Sequence, residues 1–115
     1  MSDSPIDKDA LFALVDEDPE FLGSLADTFL HDCSTYLDAI RSAVEKGEAD
    51  TLRREAHGLK GAAANMQAEG TKEAARRLED IGQSGDLDSA PEALEQLEEE
   101  VDRLKPALEA LVEDV

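Results

Sequence analysis

Apolar residues recur along this chain at helical spacing, and no segment sustains the alternation of a strand. Ala10, Leu11, Leu14 and Val15 mark a short first helix over roughly 7–16. Asp18-Pro19 then reads as an N-cap followed by proline at the first helical position. From there Leu22, Leu25, Ala26, Phe29, Cys33, Tyr36, Leu37, Ile40 and Val44 form one stripe, which predicts a helix over about 19–46 with Gly47 as its stop. A third helix is predicted over about 49–68 and a fourth over about 70–83, the latter turning Ala74, Ala75, Leu78 and Ile81 inward. Gly82-Gln83-Ser84-Gly85-Asp86 reads as a turn, and Ser89-Ala90-Pro91-Glu92 as the capping box of a last helix over about 89–114. That helix carries Leu94, Leu97, Val101, Leu104, Leu108, Leu111 and Val115 in a seven-residue repeat, with Pro106 off the seam, where a bend is expected. The pattern predicts an all-α fold, an antiparallel up-down four-helix bundle with a short N-terminal capping helix.

Composition narrows what such a bundle can do. The 115 residues fit a single domain over 1–115, and the 41% hydrophobic content is enough for one core. With four aromatics (Phe12, Phe21, Phe29, Tyr36), that core has to be built from Leu, Ala and Val. Twenty-nine acidic side chains against eleven basic ones give a net charge of −18, which argues against nucleic acid or anionic membrane as partner. The single cysteine, Cys33, excludes an internal disulfide, and its place on the buried stripe points to packing. No apolar run of about 18 residues could cross a bilayer, and the start MSDSPIDKD does not resemble a signal peptide, so a cytoplasmic monomer is the expectation. The run Glu98-Glu99-Glu100 reads as a solvated face.

The third helix differs from the others. At about 100° per residue, Leu52, Ala56, Leu59, Ala63 and Met66 share one arc, and Arg53, His57, Lys60 and Ala64 form a second stripe about 120° away. His57 is therefore expected at the surface between two cations. Gly58 and Gly61 interrupt this helix, each at a cost of about 1 kcal/mol relative to alanine. Small residues at 58, 61 and 64 suggest a face that another protein approaches closely. Residues 53–77 hold six cations and three carboxylates, a segment of +3 in a chain whose remainder carries −21. A cationic island around an exposed histidine suits a dianionic group.

The sequence Ala56-His57-Gly58-Leu59-Lys60-Gly61-Ala62-Ala63-Ala64-Asn65-Met66 closely resembles the signature of histidine phosphotransfer (HPt) domains. The leading short helix, the Gly85-Asp86 turn and the chain length extend the resemblance over nearly the whole sequence. Three places depart from it: Ala62 and Ala63 stand where many members carry small hydroxyl residues, Gln67 where many carry glycine, and Glu79 where some carry a phosphoryl-contacting glutamine.

The resemblance implies that His57 accepts and donates the phosphoryl group and that Lys60 steadies its oxygens. It implies that Arg53 and Arg54 attract the phosphorylated partner, while Gly61 and Ala64 leave room for it. The implied partners are receiver domains of response regulators or of a hybrid sensor histidine kinase, the receiver bringing its own divalent metal. No cofactor is expected in this chain, and the absence of a nucleotide-binding signature argues against ATP-dependent kinase activity. Imidazole, with an ordinary pKa of about 6.5, offers a free lone pair at neutral pH, so such an acceptor needs no auxiliary base.

Leu11 or Phe12 of the first helix is expected to join the docking surface. His31, among Asp27, Asp32 and Asp38, reads as a surface histidine without a role. A carboxylate-bridged metal site would need Glu three residues before a histidine, and Thr28 and Arg54 stand there instead. The competing reading is a degenerate HPt domain, a helical adaptor that carries no phosphate.

Overall fold

Asp18 starts the longest helix by accepting the amide hydrogens of Glu20 and Phe21 at 3.0 and 3.2 Å, with Pro19 in the first turn. A computed structural model describes residues 6–15 and 18–113, without the side chains of residues 8, 12, 14, 15, 19 and 112. Five helices follow in order: α1 (Lys8–Val15), α2 (Pro19–Lys46), α3 (Ala49–Asn65), α4 (Glu69–Ser84) and α5 (Ala90–Glu113). The 28 residues of α2 span about 42 Å at 1.5 Å per residue, matching the long dimension of a molecule measuring 43 × 27 × 19 Å. α2 packs on α3, α3 on α4, α4 on α5, and α5 closes back on α2, so the architecture is the expected four-helix bundle.

The core is aliphatic. Leu22, Ile40, Leu52, Leu59, Leu78, Leu97, Leu104 and Leu108 are among its largest fully buried members, and Cys33, Ala56, Ala63 and Ala75 are buried beside them. Burial, first, and the nearby Asp32, second, push the Cys33 thiol up to about 12, so it stays a protonated packing group. Of the seam on α5, Leu97, Leu104, Leu108 and Leu111 are buried, Leu94 and Val101 pack against the core, and Val115 lies outside the described residues. α5 runs through Pro106, which is exposed.

Two helix ends share one device. At the end of α2, Gly47 adopts a left-handed φ of 70°, and the amides of Glu48 and Gly47 bond the carbonyls of Ala43 and Val44. At the end of α3, Gln67 takes the same role at φ 57°, with the amides of Ala68 and Gln67 on the carbonyls of Ala63 and Ala64. α3 therefore stops at Asn65 rather than near 68, because a left-handed residue follows its cap. The carbonyl of Gln67 also accepts the Asp7 amide at 2.9 Å, and the Asp7 carboxylate caps α1 by accepting from the Ala10 amide. This tethers α1 over the α3–α4 end of the bundle, with Ile6 and Leu11 sealed inside it.

The acidic run on α5 is more than a solvated face. Glu98 accepts two guanidinium N–H groups of Arg41 at 2.7 and 2.9 Å, tying α5 to α2, and Glu100 takes Arg103 one turn on.

Candidate functional site

The backbones of α3 and α4 come into close contact where Gly82 meets the start of α3. A Cβ at Gly82 would lie 2.7 Å from the Arg53 nitrogen and 2.8 Å from the Ala49 carbonyl oxygen, so only glycine permits this backbone contact. The contact sets the register of two antiparallel helices. One turn back along α4, Leu78 enters the core and Glu79 falls on the rim, facing His57 and Lys60 of α3.

There the three side chains form one connected group. Glu79 Oε1 lies 2.6 Å from Lys60 Nζ, and Glu79 Oε2 lies 2.8 Å from His57 Nδ1. The His57 side chain is 65% exposed, whereas Lys60 is 29% and Glu79 15% exposed. The lysine hydrogen bond, chiefly, and the histidine contact after it hold the Glu79 carboxyl below its ordinary pKa against the opposing effect of burial. An ionised carboxylate only accepts hydrogen bonds, so the proton between Glu79 and the ring sits on Nδ1. In the neutral ring this leaves the lone pair on Nε2, at the far corner from the carboxylate.

The neighbours of the ring divide by position. Gly61 is exposed, and a Cβ there would have nothing within 4 Å; Ala64, Arg53 and Arg54 are exposed on the same helix. Gly58 behaves differently from the expectation of an open face. A Cβ at Gly58 would meet the Tyr36 ring at 2.5–2.9 Å, so this glycine admits α2 to α3 and serves packing rather than a visiting protein. Leu11 is fully buried, which removes it from the docking surface, and the Phe12 side chain lies outside the described residues. His31 is exposed on α2. Among the described residues, no group of three His, Cys, Asp or Glu side chains could hold a metal ion.

The cationic island is smaller than the charge count suggests. Lys72 and Arg76 face Glu69 and Glu73 at 3.6 and 3.5 Å, and Arg77 turns to the other flank of α4, where it donates to Gln96 of α5 at 2.8 Å. Glu79, two residues beyond the counted window, neutralises Lys60.

A bundle of this topology, with an exposed histidine one turn before a lysine on its second long helix, is matched by the model of the Hpt domain over residues 24–107. The chain belongs to the Hpt domain family. A solved structure, histidine-containing phosphotransfer protein B (HptB) from Pseudomonas aeruginosa PAO1, is similar over 99% of both chains at 28% identity, with a TM-score of 0.90. A search of curated proteins finds no match. Among the described residues of this Hpt domain, no helix is long and apolar enough to cross a membrane.

The departures from the family signature now have places. Ala63 is in the core and Ala62 packs against it, so hydroxyls at those positions would not reach the outer face of the ring. Gln67 is the left-handed residue of the α3 cap, which is why glycine suits that position. Glu79 is the member that the sequence pattern underrated. It was visible only as the residue standing in the position of a glutamine, because its partners come from another helix.

Proposed function

We propose that this chain is a phosphocarrier in a phosphorelay: His57 takes a phosphoryl group from the aspartyl phosphate of a receiver domain and passes it to another receiver. The observation that carries the reading is the ring itself, 65% exposed and held at Nδ1 by Glu79. The Nε2 lone pair attacks phosphorus in line, the P–O bond to the partner's aspartate breaks, and its electron pair returns to that carboxylate. The loose transition state leaves the protein to supply position and charge compensation. Lys60 stands one turn from the ring for that purpose, and Arg53 and Arg54 draw in the phosphorylated partner. Gly61 and Ala64 leave room for the partner's surface. The divalent metal belongs to the receiver, and ATP is not a substrate.

The test is transfer of labelled phosphate from a phosphorylated receiver domain. The label should move to this chain as an acid-labile, base-stable bond. His57→Gln should accept none, and Lys60→Ala should fold normally and transfer more slowly. Binding of the receiver without transfer to the wild-type chain would favour the adaptor reading instead.

A further inference from the structure

The carboxylate of Glu79 does more than choose a tautomer, and the consequence appears after the phosphoryl group has arrived. In the free ring, Nδ1 donates to Glu79 Oε2 at 2.8 Å. Once Nε2 is bonded to phosphorus, the ring can either keep the Nδ1 proton as a phosphoimidazolium or release it and become neutral. The two forms differ in what leaves when the N–P bond breaks. The protonated form departs as neutral imidazole; the deprotonated form would depart as imidazolate, a far poorer leaving group.

The groups around the ring decide between them. Glu79 from α4 faces Nδ1, and its other oxygen is fixed by Lys60 at 2.6 Å, which holds the carboxylate in place. Arg53 precedes His57 by one turn on α3, and α2 contributes Tyr36, packed against the backbone at Gly58. Glu79 is the anion in contact with the ring, and it stabilises the positive charge that the protonated form carries.

Building on the assignment of His57 as acceptor, we propose that Glu79 is a positioning residue that keeps phosphorylated His57 protonated on Nδ1, making the protein a fast donor rather than a store of phosphate. In acceptance, the Nε2 lone pair forms the N–P bond, the acyl P–O bond breaks toward the partner's carboxylate, and Nδ1 keeps its proton. In donation, an oxygen of the next aspartate bonds phosphorus, the N–P pair returns to Nε2, and a neutral ring with its Nδ1 proton remains. No proton crosses the site in either direction. Lys60, besides compensating the phosphoryl oxygens, anchors the carboxylate that retains the proton.

The experiment uses the full chain with nitrogen-15 in its histidines, phosphorylated by phosphoramidate. Nitrogen chemical shifts report the protonation of Nδ1, and phosphorus NMR reports the lifetime of the N–P bond. At a given pH the nitrogen shifts should show a larger Nδ1-protonated fraction in the phosphorylated wild-type chain than in Glu79→Gln, because the carboxylate favours the charged form. At alkaline pH the phosphoryl group should persist severalfold longer in the variant, in proportion to the lost protonated fraction. Glu79→Asp, which keeps the charge but retracts it, should fall between the two.

Equal Nδ1 protonation in phosphorylated wild type and Glu79→Gln, or a lifetime that does not lengthen, overturns the proposal. Failure of His57 to show phosphorus–nitrogen coupling in any chain would instead strike the carrier reading itself.

Discussion

Two glycines three residues apart on α3 should respond oppositely to the same methyl group. At Gly61 an alanine Cβ would have no atom within 4 Å, and the backbone there is helical. The substitution should therefore add the helix propensity of alanine, about 1 kcal/mol. For a domain of this length that raises the melting temperature by about 4 °C. A Cβ on a helix tilts toward the N-terminus, so the new methyl leans toward His57 and into the space assigned to the receiver in the proposed function. An extra methyl in a closely packed interface costs about 1–3 kcal/mol, which corresponds to at least about a fivefold loss in transfer rate.

The control is Gly58→Ala. Its Cβ would lie 2.5 Å from Tyr36 Cε1 and 2.9 Å from both Cζ and the hydroxyl oxygen, so α2 must shift or the ring must move. The overpacking outweighs the propensity gain, and a net loss of about 1 kcal/mol is expected. Thermal unfolding measures the stabilities, and rapid-quench transfer from a labelled receiver measures the rates. Gly61→Ala transferring at the wild-type rate would refute the docking face. Gly61→Ala melting lower than wild type would refute the open space on which the reasoning rests.

Gly82→Ala should cost about 2 kcal/mol by urea denaturation, since its methyl meets the backbone of α3 at 2.7–2.8 Å and backbone cannot rotate away as a side chain can. Gln67→Gly should stabilise the protein by up to about 1 kcal/mol, because the φ of 57° at that position is one that glycine adopts without strain. The stabilisation from Glu79 should depend on acid. Its carboxyl titrates lower in the folded chain than its ordinary value of 4.5, so the contribution is complete above that value and disappears as pH falls through the lowered one. The stability gap between wild type and Glu79→Gln should accordingly be widest near neutrality and close in acid, as followed by urea titrations at stepped pH.

What could be read from the chain alone follows the range of the interactions involved. The cap at Asp18, the stop at Gly47 and the outward stripe bearing His57 depend on neighbours within one or two turns, and a single helix wheel contains them. The end of α3 falls earlier than the apolar pattern predicts because its left-handed residue is Gln67, and a glutamine does not announce that conformation as a glycine does. Leu11 is buried instead of joining a docking surface, because a short helix shows its apolar face without showing which side the bundle covers.

The glycines of the motif expose the same limit inside the site. On the α3 wheel, Gly58 and Gly61 are equally plausible as cleared ground, and the difference arises only because α2 lies along one flank and solvent along the other. Glu79 is the sharper case. Counting charge along residues 53–77 predicts a positive surface around His57, yet the carboxylate that contacts the ring comes from the next helix, brought there by the register that Gly82 permits. The ring therefore stands beside a balanced pair, Lys60 with Glu79, and not a bare cation. A balanced pair attracts a dianion less than a free lysine would, but it can hold a proton on the leaving ring, which a lysine cannot do. Under the proposal for Glu79, glutamate at this position favours release of the phosphoryl group and glutamine favours its retention, and the phosphorus NMR lifetimes of wild type and Glu79→Gln measure the difference.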